Sequence, residues 1–333
     1  MSYHVSKGAT LMSYLEATNN VYKNAAMNPS NGLCCTTTPV WQLPGLKVPQ
    51  KMLEMNYGCG STVNPRDLVN DPTILYVGVG GGMELLQFSY FSRKPQGVIG
   101  VDVVPEMIAA CKENLKEAEK SNSWFRQDFV ELRRGNALDL PLVSGSVDVA
   151  AQNCLFNIFK MEDLKRALQE MYRVLKPHGR LVLSDPVCDH TIPENLREDA
   201  HLRALCLSGS MPLSDYIRTI TDIGFGTVEV RARRPYRVLD PTHYETDEII
   251  HIESVEICAI KDPMPQDGPC IFTGRTAIYF GDDEYFDDRK GHVLNYNQPL
   301  AVCDKTANAL LALRRSDIYV SESTYFYDGG GCC

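Results

Sequence analysis

Residues 74–85, ILYVGVGGGMEL, constrain this chain more than any other segment. The apolar start, Ile74-Leu75-Tyr76-Val77, reads as a strand buried on both faces, the pattern of a parallel sheet. It breaks into Gly78-Val79-Gly80-Gly81-Gly82, where missing Cβ atoms let the backbone turn tightly and approach a ligand closely. A second apolar run, Gly97-Val98-Ile99-Gly100-Val101, leads to Asp102. A carboxylate at the end of a second strand is placed to accept both hydroxyls of a ribose. Gly78, Gly80, Gly82, Asp102 and the adjoining Val103 are therefore candidate cofactor residues. Met83 fills the position where the dinucleotide fingerprint needs a small residue, which disfavours a dehydrogenase.

Elements alternate through residues 72–190 in the manner of a doubly wound α/β sheet. The pattern predicts helices over 83–91 and 105–119, the second opening on Pro105 at a favoured first-turn position. Strands follow at 130–133 and 147–152, the latter ending at Asn153-Cys154. A helix over 162–175 carries Leu164, Leu168, Met171 and Leu175 on one stripe, and a strand over 180–184 closes on Asp185. Outside this core, helices are expected at 11–24, 192–207 and 213–223, with strands at 227–232 and 252–260. Beyond the joint at Asp262-Pro263-Met264-Pro265, strands at 276–280 and 318–320 and a helix at 307–314 form a further α+β unit. The division is an N-terminal extension (1–66), a core (67–190), a cap (191–262) and a C-terminal unit (263–333).

A net charge of −9 argues against nucleic acid or an anionic membrane as the main partner. No apolar stretch reaches the roughly 20 residues that span a bilayer. The N-terminus lacks a basic start and an apolar run, so the expected compartment is the cytoplasm. Nothing in the pattern demands more than a monomer. Twelve cysteines are many for such a chain, yet no C-x-x-C pair occurs. The adjacent pairs Cys34-Cys35 and Cys332-Cys333 suit a soft, thiophilic ligand better than tetrahedral zinc. Cys111, Cys154, Cys188 and Cys303 read as small buried hydrophobes.

The core resembles that of the class I S-adenosylmethionine (SAM) methyltransferases, a Rossmann-like doubly wound sheet. The likeness rests on the glycine loop, Asp102, the GNALDLP turn at 135–141, Asp148 at a strand start and RVLKPHGRLVLSD at 173–185. It implies SAM as cofactor, with Asn136 and Ala137 beside the adenine and Asn153 also in the site. The wider chain resembles the arsenite SAM methyltransferases. The matching residues are Cys34-Cys35-Thr36-Thr37, Tyr57-Gly58-Cys59-Gly60, Asn153-Cys154, Tyr172-Arg173-Val174-Leu175-Lys176, Ser184-Asp185 and Cys206-Leu207 with Gly209. The full length, including the Cys332-Cys333 end, looks like the branch linked to arsenosugar biosynthesis.

That resemblance implies methyl transfer to arsenite or methylarsenite in arsenic detoxification or arsenosugar synthesis, supported by thiol reductants such as glutathione or thioredoxin. It makes Cys59 and Cys206 ligands of trivalent arsenic, and Cys34 the thiol that closes over the site or pairs with Cys59. Cys35 joins the candidate ligands. The family's third thiol precedes the last strand of the cap, where this chain has Asp247-Glu248-Ile249-Ile250-His251. The third ligand stays open among Cys34, Cys35, Cys258, a terminal cysteine and a small-molecule thiol. Two other functions remain open: methylation of another small molecule, and arsenite binding or sensing without turnover.

Overall fold

A computed structural model describes residues 13–29, 42–261, 270 and 272–324. The chain divides into two compact units, Met1–Asp262 and Pro263–Cys333. Cys34, Cys35, Cys332 and Cys333 lie outside the described residues.

The first unit is built on seven strands: β1 (Ile74–Val77), β2 (Val98–Asp102), β3 (Val130–Arg134), β4 (Val147–Asn153), β5 (Leu175–Cys188), β6 (Thr227–Leu239) and β7 (Ile250–Ile260). Their order is β3-β2-β1-β4-β5-β7-β6. The first five pair in parallel, and β7 enters antiparallel between β5 and β6. This is the doubly wound sheet expected of the class I core. The order reverses at β1 and β4, the place where such sheets bind ligands beyond their carboxyl ends.

Alternation along each strand sends side chains to two separate helical layers. Ile74 and Tyr76 of β1 join one buried cluster, which holds Leu85, Met107 and Leu115. These come from α3 (Met83–Ser92) and α4 (Pro105–Ser121), which follow α1 (Tyr14–Met27) and α2 (Gln50–Glu54). Leu75 and Val77 join the other cluster with Leu164, Leu168, Met171, Tyr216 and Ile220. That layer consists of α5 (Met161–Val174) and, after the short α6 (Glu194–Arg197) and α7 (Ala200–Ala204), of α8 (Leu213–Asp222).

The single helix expected over 192–207 is two short ones. Asp199 breaks it, because its carboxylate caps α7 by accepting from His201 N and Leu202 N. Strand β5 is longer than expected at both ends: β7 pairs with it continuously on to Cys188, and Leu175 pairs with Val147 of β4. The second unit contains β8 (Thr276–Tyr279), β9 (Tyr285–Asp287), β10 (Val293–Asn295), β11 (Leu300–Ala301), α9 (Asp304–Ala312) and β12 (Ile318–Val320). Strands β11, β8 and β12 form one antiparallel sheet and β9–β10 a hairpin, around a small core of Ala277, Tyr279, Leu294, Val302, Ala307 and Leu310. Helix α9 starts three residues earlier than the pattern suggested, at Asp304 after its cap Cys303.

Candidate active site

A cleft opens at the carboxyl ends of β1, β2 and β4. Gly78, Gly80, Asp102, Val103, Asn136, Ala137 and Asn153 all line it. Gly82 stands just behind, as the residue that caps α3. Its φ of +87° is left-handed, and a Cβ there would meet the Cys111 sulfur at 2.9 Å. Cys111 is thus the packing floor of the glycine loop, and burial pushes its thiol far up.

Asp102 holds the loop in shape. Its Oδ2 accepts from Val79 N at 2.9 Å and its Oδ1 from Val104 N at 2.9 Å. Each oxygen keeps a further lone pair for a hydroxyl in the cleft. Burial pushes its carboxyl up to about 6, against the amide bonds that pull it down.

Glu84, which the sequence pattern did not single out, also lines this wall. Its Oε1 accepts from Thr62 N at 2.8 Å and Thr62 Oγ1 at 3.1 Å. Its Oε2 accepts from Tyr76 Oη at 2.5 Å and Asn153 Nδ2 at 3.2 Å. Burial raises its carboxyl despite those bonds.

Residues 57–62 fold across the ends of β4, β5 and β7. Asn153 is the clamp: its Oδ1 accepts from Cys59 N at 3.0 Å and its Nδ2 donates to Gly60 O at 2.9 Å. Ser254 Oγ donates to Cys59 O at 2.6 Å, and Ser61 N donates to Glu256 Oε1 at 2.9 Å. Arg234 pairs with the same Glu256 oxygen at 2.7 Å. The glycines flanking Cys59 are required by these contacts. A Cβ on Gly58 would fall 2.4 Å from Asn153 Nδ2, and one on Gly60 would fall 2.3 Å from Ser184 Oγ.

Three cysteines are linked through Ser184 and the Cys154 backbone. Cys59 Sγ lies 3.5 Å from Ser184 Oγ, and Cys154 N donates to Ser184 O at 2.8 Å. Cys206 Sγ in turn donates to Cys154 O at 2.9 Å. All three are buried in the same core cluster, and of the three Cys154 lines the cleft. Cys154 and Cys206 both sit in the left-handed region, at φ 58° and 60°. The turn after Cys206 is pressed against the core: a Cβ on Gly209 would lie 1.7 Å from Asn157 O, which accounts for the spacing from Cys206 to Gly209.

Among the described residues no three His, Cys, Asp or Glu side chains converge as a metal site would require. The thiols as they stand are held by neighbours. Cys258 lies further along β7, paired in register with Val182 and Glu229. Burial pushes its thiol up to about 12, with Asp67 and Arg231 nearby. Cys188 is likewise pushed up to about 12 by burial.

Helix α1 forms the remaining wall through Leu15, Thr18, Asn19 and Tyr22. Tyr14 donates to Asp163 on α5, Lys23 pairs with Glu106 on α4 at 2.8 Å, and Tyr22 Oη donates to Ala204 O at 3.3 Å. The amphipathic spacing of α1 alone assigns it no role in the site. Asp185 accepts from Gln152 Nε2 and Tyr216 Oη, and His178 N, near the start of β5, donates to Lys261 O.

Residues 75–183 match the methyltransferase domain family. The arsenite methyltransferase of Aquipseudomonas alcaligenes is 30% identical over 235 residues, covering 68% of this chain and 66% of that protein. The arsenite methyltransferase of Halobacterium salinarum is 29% identical over 177 residues, covering 53% of this chain and 43% of that one. The mouse arsenite methyltransferase is 28% identical, with 67% and 54% covered. The chain thus spans between about two fifths and two thirds of the length of these relatives. The crystal structure of an arsenic (III) S-adenosylmethionine methyltransferase from Chlamydomonas reinhardtii shares the fold, with a TM-score of 0.64 at 21% identity over 87% of this chain and 99% of that one.

Proposed function

We propose, for a chain that belongs to the arsenite methyltransferase family, that it moves methyl groups from SAM to trivalent arsenic held by Cys59, Cys154 and Cys206. The observation that carries this reading is the linked set of thiols beside the cleft. Cys154 lines it, its carbonyl receives Cys206 Sγ, and Ser184 connects its amide to Cys59 Sγ. Trivalent arsenic is soft and pyramidal, and three thiolates satisfy it. Cys154 therefore takes the third place that the sequence pattern left open. The ligands converge once Cys206 Sγ leaves the Cys154 carbonyl.

The cleft suits the cofactor. The glycine loop exposes backbone, Asp102 retains acceptor capacity for ribose hydroxyls, and Val103, 40% exposed, offers an apolar surface beside Asn136 and Ala137. Bound there, SAM supplies an electrophilic sulfonium methyl. Thiolate-bound arsenic keeps a lone pair, so the protein needs no general base. Its task is to hold arsenic about 3–3.5 Å from the methyl, in line. The Asn153 clamp fixes the Cys59 backbone for that purpose, and α1 closes the cleft against water. Cys34 and Cys35 are the thiols proposed to close over the site, with a small thiol such as glutathione returning it to the reduced state.

The test is methyl transfer from SAM to arsenite with excess glutathione, resolving arsenic species by chromatography with elemental detection. Wild type should form methylated arsenic. Cys59→Ser, Cys154→Ser and Cys206→Ser should lose it while still binding SAM. A fully active Cys154→Ser variant would remove that residue from the ligand set. SAM binding without methylated arsenic in wild type would overturn the reading.

A further inference from the structure

The cleft is lined by two carboxylates, Glu84 and Asp102, and among the described residues by no lysine, arginine or histidine. Asp102 stands at the end of β2, fastened by the Val79 and Val104 amides. Glu84 stands in the first turn of α3, where that helix meets residues 57–62. It is buried, and its partners Thr62, Tyr76 and Asn153 bring no positive charge. Buried charges in proteins are ordinarily paired with an opposite charge. Among the described residues Glu84 has no such pair.

The bonds at Glu84 are those of an ionised carboxylate. Thr62 N and Asn153 Nδ2 can only donate, and the Asn153 amide is held that way round because its Oδ1 accepts from Cys59 N. Tyr76 Oη and Thr62 Oγ1 donate as well, so the four lone-pair sites of Glu84 are taken. Glu84 therefore acts on a cation in the cleft by its charge and not by a further hydrogen bond. The same bonds fasten the thiol wall. Thr62 anchors one end of residues 57–62 to Glu84, and Asn153 holds the Cys59 amide while donating to Glu84. A cation nearby stabilises the ionised carboxylate and with it the fastened segment. By linkage, the fastened segment binds that cation more tightly.

We infer that Glu84 is a positioning residue that couples the positive charge of the cofactor's methionine end to the order of residues 57–62, which carry Cys59. The inference rests on the reading of the cleft as the SAM site and is independent of arsenic. SAM carries two cationic groups there, the sulfonium and the α-ammonium. S-adenosylhomocysteine keeps the ammonium and lacks the sulfonium, while 5′-methylthioadenosine keeps the nucleoside and has neither. All three offer the same ribose to Asp102, so its contacts cancel in the comparison.

The test uses the full-length protein without arsenic. Calorimetry gives the affinities, and backbone hydrogen exchange in peptides spanning residues 57–62 gives the order of the segment. In wild type, saturating SAM should slow that exchange at least about tenfold more than saturating methylthioadenosine. Glu84→Gln should bind SAM at least about tenfold more weakly, bind methylthioadenosine as wild type does, and lose the protection that SAM confers. Glu84→Asp, which keeps the charge, should recover part of the preference for SAM over methylthioadenosine. An equal loss for SAM and S-adenosylhomocysteine identifies the ammonium as the cation, and a loss for SAM alone identifies the sulfonium. Methylthioadenosine that protects the wild-type segment as well as SAM overturns the coupling without recourse to any variant. A Glu84→Gln protein that weakens SAM and methylthioadenosine equally overturns it too, leaving Glu84 a purely structural acid. Wild type that binds neither compound would instead remove the SAM reading of the cleft, and the coupling with it.

Discussion

The two walls of the cleft in the first unit are made of different material. The cofactor wall is largely backbone: the turn from Gly78 to Gly82, tied to Asp102 by the Val79 amide. The thiol wall is largely side chain. Asn153, Ser184, Ser254 and Glu256, from three strands, fasten residues 57–62 by bonds that span 93 to 195 positions of sequence. A backbone wall tolerates change wherever the turn survives. A side-chain wall fails when any one of its fasteners is removed, and it fails in chemistry before it fails in folding.

The strongest way to break this contrast is to remove the sulfur itself. Cys59→Ser and Cys154→Ser should each lower arsenite methylation by about 100-fold or more, near 2.7 kcal/mol, with SAM affinity unchanged by calorimetry. A matching loss of SAM affinity would show that the two walls are one. Next in size, Asn153→Ala should cut kcat/KM by about tenfold, or ~1.4 kcal/mol. It should also cost about 1–3 kcal/mol of stability, because Glu84 and the Cys59 amide each lose a buried partner. Denaturant unfolding beside steady-state kinetics separates the two effects.

Gly82→Ala tests the other wall. A left-handed alanine costs roughly 1–2 kcal/mol, and its Cβ must displace the Cys111 sulfur. SAM affinity should weaken several-fold while thiol-wall reactivity toward a trivalent arsenical stays. The smallest effect concerns pH. Because the folded Asp102 carboxyl is raised to about 6 from an ordinary 3.8, the folded protein binds this proton more tightly than the unfolded chain. Its contribution to stability is therefore fully present below pH 3.8 and lost as pH rises through about 6. Ribose hydroxyls need the ionised form, so SAM affinity moves the opposite way. It should fall about threefold from pH 6.5 to 5.5, and Asp102→Asn should abolish both trends.

This contrast also explains what could be read from the sequence. The glycine loop, Asp102 and the parallel strand order follow from local patterns, because a turn and its flanking strand are continuous in the chain. Strand β1 and the strand that ends at Asp102 were visible for that reason. The Asn153 clamp was not, since a bond from residue 153 to residue 59 leaves no local trace. Glu84 reads as an ordinary first-turn acid until Thr62, Tyr76 and Asn153 are brought onto it. Cys154 reads as a small hydrophobe and is buried as one, while its place between Ser184 and Cys206 is what suggests the proposed ligand role. The Tyr57-Gly58-Cys59-Gly60 motif was legible as a pattern, while the reason for its glycines lay in side chains from β4 and β5.

Left-handed backbone is natural for glycine and tolerable for asparagine, yet the chain places cysteine there twice, at 154 and 206. Each departure costs the fold roughly 1–2 kcal/mol. A design aimed only at firmness would choose glycine at both positions. It would gain a steadier molecule and discard two sulfurs of the proposed arsenic site, so selection for thermal stability alone would steer this protein toward silence.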